Sequence, residues 1–199
     1  MLQELSPGQI SPNALCLHLK PLLTHTEEDP RPVALMVCGV SGSGKSTSSQ
    51  AVVRNYPSFE RVSFDGIVAS RHGIAGVDFD HSQLEEFAEE ADFIFEKTVP
   101  QVLAAGKDVV LDRAFYAKAD RDNYRRIVEE CGGRVVLVYF NIPKEVLLRR
   151  IRERRDGYLN ADNAREISDD LLGQFIDGFD VPDEEGEIVI NYETSLPSS

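Results

Sequence analysis

From residue 33 onward, short apolar segments alternate with longer amphipathic ones. The segment VALMVC at 33–38 is apolar throughout, which is typical of a strand buried on both faces of a parallel sheet. Residues 82–105 instead place apolar side chains three and four positions apart, which predicts a helix with one buried face. Similar patterns predict strands at 61–64, 108–111, 134–140 and 187–190, and helices at 45–55, 117–130, 143–155 and 167–176. This alternation predicts a three-layer α/β fold, with a central parallel sheet of about five strands and helices on both faces.

Residues 1–32 differ from this pattern and are predicted to form an N-terminal extension to a single domain at 33–199. Prolines interrupt the extension at positions 7, 12, 21, 30 and 32. Between them, residues 13–23 could form a short amphipathic helix. The rest of the chain shows no internal repeat, which favours one domain.

The chain is acidic, with a formal net charge of −13. Proteins that bind duplex nucleic acid usually present a broad basic surface, so this charge disfavours a nucleic-acid partner. No apolar run approaches the roughly 20 residues of a membrane-spanning helix, and the N-terminus lacks the pattern of a signal peptide. Three widely spaced cysteines favour free thiols. We therefore expect a cytoplasmic protein without a membrane partner.

The segment GVSGSGKS at 39–46 matches the phosphate-binding pattern G-x-x-x-x-G-K-[ST], between a predicted strand and a predicted helix. Its glycines allow backbone N–H groups to point at an anion, and the helix N-terminus adds positive potential. Lys45 is expected to reach the β- and γ-phosphates, and Ser46 to bind Mg²⁺. The residues predicted to hold the nucleotide here are Gly39, Val40, Ser41, Gly42, Ser43, Gly44, Lys45, Ser46 and Thr47.

Asp112 follows the apolar strand VVL and is the candidate for a second Mg²⁺ ligand. Ligands of open parallel sheets bind at the carboxyl ends of the strands, where this carboxylate is expected. The alternative is a residue that caps the next helix. Arg113 follows instead of the glutamate that activates water in many ring-forming ATPases, and the N-K-x-D pattern of GTPases is absent. Both features disfavour a motor or a switch.

Asp65 is the candidate general base. It lies at the end of the predicted strand RVSF, at the same edge of the sheet as the phosphate loop. A carboxylate at this place could take the proton of an acceptor hydroxyl during in-line phosphoryl transfer. A helix-capping role before residues 66–68 is the alternative.

Arginines of the segment KEVLLRRIRERR at 144–155 are candidates for the charge that stabilises the transferred group. Arg150 and Arg154 are four positions apart and share one face of the predicted helix. They would belong to a lid around 144–165. A solvated charged face is the alternative.

These segments together resemble the P-loop kinases grouped around polynucleotide 5′-hydroxyl kinase, zeta toxin and chloramphenicol phosphotransferase. The resemblance covers residues 33–179 and is carried by GVSGSGKST, FDG, VVLDRAFYAKADRDNYRRIVEECGG and PKEVLLRRIRERR. It implies ATP and Mg²⁺ as cofactors, Asp65 as general base, and Arg150 and Arg154 as lid arginines. A basic residue near the start of the helix after the metal-side strand maps to Arg121.

Two further positions follow from the same resemblance. In these kinases the loop before the last strand lies by the adenine, so that Phe179 and Pro182 could pack on the base; they could equally be core and turn residues. Polynucleotide kinases carry an arginine three residues after the base, where this chain has Val68. This difference disfavours a nucleic-acid acceptor.

The sequence therefore predicts an ATP- and Mg²⁺-dependent phosphotransferase that acts on a hydroxyl of a small molecule or a nucleotide sugar. Three alternatives remain open: a polynucleotide 5′-hydroxyl kinase, an ATP-binding regulatory module without transfer chemistry, and a toxin of the zeta type.

Overall fold

The five strands of the sheet are all parallel. The computed structural model describes residues 11–155, 160–162 and 167–192, with only the helical backbone at 154–155. Its strands are β1 (Val33–Cys38), β2 (Phe59–Ser63), β3 (Asp108–Asp112), β4 (Arg134–Asn141) and β5 (Ile188–Asn191). They lie side by side in the order β2-β3-β1-β4-β5. The predicted parallel sheet of about five strands is confirmed.

Helices cover both faces of this sheet. They are α1 (Pro12–Leu23), α2 (Lys45–Asn55), α3 (Phe64–His72), α4 (Leu84–Ala104), α5 (Lys118–Glu130), α6 (Lys144–Arg155) and α7 (Asp169–Asp177). Successive side chains of β1 enter opposite apolar clusters, because side chains alternate across a strand. Met36 belongs to the same apolar cluster as Phe95 of α4 on one face, and Leu35 belongs to the same cluster as Val52 of α2 on the other. The three-layer α/β prediction is confirmed.

The register of the strands aligns the edge at which the candidate residues lie. Asp112 at the end of β3 pairs with Val37 of β1 on one side and with Ser63 of β2 on the other. The chain leaves all three strands at this edge, so the phosphate loop, Asp112 and the start of α3 come together.

Strand β2 and helix α3 differ in their bounds from the sequence prediction. The strand covers Phe59–Ser63, and Asp65 lies in the first turn of α3 instead of at a strand end. The reason is the N-cap: the Ser63 hydroxyl accepts a hydrogen bond from the backbone N–H of Gly66 at 3.1 Å, which begins the helix earlier. A carboxylate in a first turn is stabilised by the helix dipole.

Helix α1 of the N-terminal extension packs on the body of the domain. Its buried residues Leu15, Cys16 and Leu19 belong to the same apolar cluster as Leu35 of β1. The Tyr56 hydroxyl donates a hydrogen bond to the backbone oxygen of Cys16 at 2.7 Å. The predicted helix is confirmed, and it contributes to the hydrophobic core. None of the helices in the described ranges is long and apolar enough to span a bilayer.

Candidate active site

The phosphate loop connects β1 to α2 through glycines whose backbone other residues rarely adopt. Gly39 has φ +144° and Gly44 has φ +105°, both in the region that favours glycine. A Cβ atom at Gly39 would also lie 3.1 Å from the backbone oxygen of Phe140. The loop therefore approaches the end of β4 more closely than a larger residue would allow. Lys45 donates a hydrogen bond from Nζ to the backbone oxygen of Val40 at 3.0 Å, so its side chain lies across the loop.

Arg150 of α6 contacts the same loop. Its Nη1 donates to the backbone oxygens of Gly42 and Ser43, each at 3.1 Å. Its guanidinium also lies 5.3 Å from the ring centre of Tyr192. Burial lowers the pKa of this guanidinium. The structure thus places Arg150 against the phosphate loop, whereas the side chain of Arg154 lies outside the described residues.

Ser46 and Asp112, the two candidate metal ligands, are adjacent. The Ser46 hydroxyl donates to Asp112 Oδ1 at 3.4 Å. Arg61 of β2 donates from Nε to the other carboxylate oxygen at 2.8 Å. Both oxygens of this buried carboxylate are therefore held in fixed directions.

Arg61 also links Asp112 to the segment after α6. It donates to Asp162 at 2.5 Å, and Gln50 of α2 donates to the other oxygen of Asp162 at 2.7 Å. Burial lowers the pKa of the Arg61 guanidinium, but the two carboxylates outweigh burial and hold the pKa above its ordinary value. Of the predicted lid at 144–165, helix α6 and residues 160–162 lie by the phosphate loop, and 156–159 and 163–166 are outside the described residues.

Asp65 lies in the wall between two neighbouring cavities. The larger cavity, of about 690 Å³, is lined by the phosphate loop, Lys45, Ser46 and Asp112. A second cavity, of about 580 Å³, lies between α3 and the start of α4. Asp65 lines both of them. The predicted base, Lys45 and the predicted metal ligands are thus brought to one site.

The donor set at this site suits Mg²⁺. Magnesium prefers oxygen ligands and is often held by one or two protein groups together with substrate phosphates. The Ser46 hydroxyl and the Asp112 carboxylate supply two such oxygens at the phosphate loop. Within the described residues, no group of three or more His, Cys, Asp and Glu side chains is placed to hold a metal by itself. The residues therefore fit a magnesium ion that is shared with nucleotide phosphates.

Arg113, the residue after Asp112, lines the larger cavity. Its guanidinium forms an ion pair with Asp92 of α4 and lies 5.3 Å from the ring centre of Phe64. Ring and carboxylate together hold this cation at the cavity wall. In the sequence, Arg113 is notable only because it stands where many ring-forming ATPases have a glutamate. Its ion pair could not be predicted, because Asp92 lies 21 positions away.

Arg121 is fully buried and contacts protein groups. It donates to both carboxylate oxygens of Glu185, at 2.9 Å and 2.6 Å, and to the backbone oxygens of Phe115 and Asp180. Burial lowers the pKa of this guanidinium, but Glu185 outweighs burial and the pKa is raised. Arg121 therefore connects residues 180–185 to helix α5 through its hydrogen bonds to Asp180 and Glu185.

Phe179 and Pro182, the candidate adenine contacts, are both buried. The ring of Phe179 stacks on Tyr139 with a centroid distance of 5.6 Å and belongs to the core cluster. Neither residue is among those that line the larger cavity. Their role at the adenine remains a prediction.

Known proteins share this architecture. The family model AAA_33, described as an AAA domain, matches residues 35–182. A comparison with curated proteins finds no match. Among solved structures, a protein named as a candidate kinase from Chloroflexus aurantiacus j-10-fl is 19% identical, with a TM-score of 0.64, over 83% of this chain and 90% of its own.

Two further solved structures are similar. A gluconokinase from Sinorhizobium meliloti 1021 is 20% identical, with a TM-score of 0.53, over 83% of this chain and 85% of its own. The PezAT chromosomal toxin–antitoxin system of Streptococcus pneumoniae contains a chain that is 16% identical, with a TM-score of 0.51, over 74% of this chain and 64% of its own. These likenesses establish a fold like that of P-loop kinases, and the resemblance seen in the sequence is confirmed.

The family model covers more than half of the chain, and its match begins in β1, just before the phosphate loop, and extends beyond α7. Such a family implies nucleotide binding at that loop. The chain belongs to the AAA domain family AAA_33.

Proposed function

We propose that the protein is an ATP- and Mg²⁺-dependent phosphotransferase that moves the γ-phosphoryl group of ATP to a hydroxyl of a small molecule. The observation that supports this most strongly is the position of Asp65, which lines both the cavity of the phosphate loop and a second cavity beside it. A hydrolase needs room only for water at this place, whereas a transferase needs room for an acceptor. The second cavity, of about 580 Å³, supplies that room.

The donor binds at the loop. Backbone N–H groups of residues 39–46 and the N-terminus of α2 hold the phosphates, and Lys45 leaves the oxygen of Val40 to contact the β- and γ-phosphates. Ser46 and Asp112 hold Mg²⁺, and Arg61 keeps the Asp112 carboxylate in position. When bound, this ion neutralises charge on the phosphate oxygens. Phe179 and Pro182 are proposed to lie by the adenine.

Asp65 acts on the acceptor. Its carboxylate accepts the proton of the acceptor hydroxyl, while the hydroxyl oxygen forms a bond to the γ-phosphorus. The bond between that phosphorus and the bridging oxygen breaks, and its electron pair leaves with ADP. Atoms and charge balance: ATP and the alcohol give ADP, a phosphate monoester and one proton, which Asp65 later releases to water.

Lid arginines stabilise the charge on the transferred group. Arg150 donates to two backbone oxygens of the phosphate loop at 3.1 Å, so its guanidinium lies beside the proposed phosphate site. Arg154 is four positions further along α6 and is proposed for the same role from this spacing and from the resemblance.

A small acceptor is favoured over a nucleic acid. The chain carries a net charge of −13, and Val68 stands where polynucleotide kinases carry an arginine. The arginine nearest to Val68 in the sequence is Arg71. It donates to Glu90 of α4 at 2.7 Å and 3.0 Å, and these hydrogen bonds hold its side chain against that helix.

Transfer of label from ATP tests the proposal. The purified chain is incubated with Mg²⁺ and γ-labelled ATP in the presence of small alcohols, sugars, nucleotide sugars and an oligonucleotide with a 5′-hydroxyl. We expect label in an organic phosphate ester and little label in inorganic phosphate. Inorganic phosphate as the sole labelled product would contradict phosphotransfer and favour the regulatory module.

A further inference from the structure

The second cavity has mostly apolar walls. Its lining comes from helix α3, the loop at 73–79, residues 81–82, the start of α4, Ala161, and Leu171 of α7. The apolar side chains that define its shape are Val68, Ile74, Phe79, Leu84, Ala88 and Leu171. Each of them is buried or half-buried, so the cavity wall is packed against the body of the protein.

The polar groups of this cavity are few and carry no fixed positive charge. Asp65, His81, Ser82 and Glu85 contribute to the lining, and no Lys or Arg does so within the described parts of the chain. A phosphate-bearing acceptor, such as a nucleotide sugar or the end of a polynucleotide, needs a cation or a set of N–H groups at its anion. The carboxylates of Asp65 and Glu85 would instead repel it.

Basic side chains near the cavity contact carboxylates of α4. Arg71 donates to Glu90, and the His72 ring lies 2.7 Å from the other oxygen of the same carboxylate. The ring of His72 also stacks on Phe87 at a centroid distance of 3.7 Å. Arg113 is bound to Asp92 and lines the other cavity. Within the described residues, these three basic side chains therefore already have carboxylate partners.

We infer that the acceptor is an alcohol with an apolar body and no phosphate group. This inference rests on the proposed phosphotransfer and specifies its substrate class. The apolar body of the acceptor lies among Val68, Leu84 and Phe79, and its hydroxyl is directed to Asp65. Asp65 takes the hydroxyl proton, the oxygen binds the γ-phosphorus, and ADP leaves. Sugars and nucleotide sugars would leave polar groups without partners against the same wall, which costs free energy.

A series of primary alcohols measures the apolar contribution directly. The full chain is assayed with Mg²⁺ and γ-labelled ATP, and kcat/KM for phosphate ester formation is determined for ethanol, 1-butanol and 1-hexanol. We expect kcat/KM to rise about fourfold for each added methylene, which corresponds to about 0.8 kcal/mol per buried CH₂. Glucose, a nucleotide sugar and an oligonucleotide with a 5′-hydroxyl serve as polar acceptors, and each should be poorer than 1-hexanol.

A pair of matched variants tests whether the rise of kcat/KM with alcohol length arises at the second cavity. Leu84→Gln places an amide in the cavity wall and should reduce the gain per methylene to less than twofold. Leu17→Gln makes the same change on an exposed position of α1, with 72% of the residue accessible, and should leave the series unchanged. If Leu84→Gln fails to fold, the wild-type series alone decides.

The outcomes separate this inference from the proposed function. A kcat/KM that rises about fourfold per methylene supports both the phosphotransfer and the apolar acceptor. A flat series, or better transfer to a sugar, nucleotide sugar or oligonucleotide, overturns the apolar acceptor and leaves phosphotransfer standing. Label in inorganic phosphate alone, with every acceptor, refutes phosphotransfer and the inference with it.

Discussion

The buried ion pair between Arg121 and Glu185 gives a sharp prediction about stability. Arg121 is fully buried and the Glu185 side chain is 5% exposed. Two hydrogen bonds of 2.9 Å and 2.6 Å join them, and Arg121 also donates to the backbone oxygens of Phe115 at 3.1 Å and Asp180 at 2.8 Å. Replacing Arg121 by Met preserves much of the volume and removes all four donations.

The expected loss is large because a buried carboxylate remains without its cation. Removal of one partner from a buried pair costs about 3–5 kcal/mol of the free energy of unfolding. We predict a loss in this range for Arg121→Met. The double variant Arg121→Met with Glu185→Met removes the stranded charge, so it should recover at least about 2 kcal/mol of that loss.

A control on the same helix separates pairing from the loss of an arginine. Arg126 forms an ion pair with Glu130 in which both side chains are more than half exposed. Exposed pairs of this spacing contribute about 0.3–0.5 kcal/mol, so Arg126→Met should be nearly neutral. Urea unfolding, monitored by circular dichroism, measures the free energy of unfolding of each variant. A loss for Arg121→Met within about 1 kcal/mol of that for Arg126→Met would refute the role of the buried pair.

Three further predictions concern the nucleotide site and the thiol beside it. Lys45→Ala should raise the Kd for ATP at least about tenfold and slow turnover as well, measured by calorimetry and label transfer; unchanged values would exclude Lys45 from the phosphate site. Asp112→Asn should raise the Mg²⁺ concentration for half-maximal rate at least about tenfold, and an unchanged requirement would exclude it as a ligand. Burial raises the pKa of the Cys38 thiol from 9.0 to about 11. The folded protein therefore holds this proton more tightly than the unfolded chain does. The resulting contribution to the free energy of unfolding is fully present below pH 9 and is lost as the pH rises through 11. Wild type should therefore lose about 2 kcal/mol more than Cys38→Ala between pH 8 and pH 11, and parallel unfolding curves would contradict this.

Local patterns were sufficient for the sheet and for the phosphate loop. The apolar run of β1, the loop glycines and Asp112 at the end of β3 all lie within short stretches whose pattern is specific. The position of Asp65 near the phosphate loop follows from the rule that parallel strands end at one edge. Its exact element did not follow, because the Ser63 cap competes with the strand for the same residues.

Long-range pairs could not be predicted from these patterns. Arg61 reads as an ordinary polar residue in a strand, and its partner Asp112 lies 51 positions away. Arg121, which the resemblance singled out as a basic residue, stands in a highly charged helix where no local pattern indicates that it is buried or that it pairs with Glu185, 64 positions away. Only the register of β2 against β3 and the path of residues 180–185 determine these contacts, and neither leaves a periodic signal.

The substitution Asp65→Asn tests the proposed phosphotransfer most directly. Asp170→Asn is its matched control, because Asp170 occupies the same place in the first turn of α7, after the N-cap Ser168, and is exposed. Rates are measured by label transfer from γ-labelled ATP and Kd for ATP by calorimetry. We predict that Asp65→Asn lowers kcat about 10²–10⁴-fold with less than a twofold change in Kd, and that Asp170→Asn changes neither. Equal loss of ATP binding and transfer in Asp65→Asn, or transfer at the wild-type rate, would contradict its role as the base.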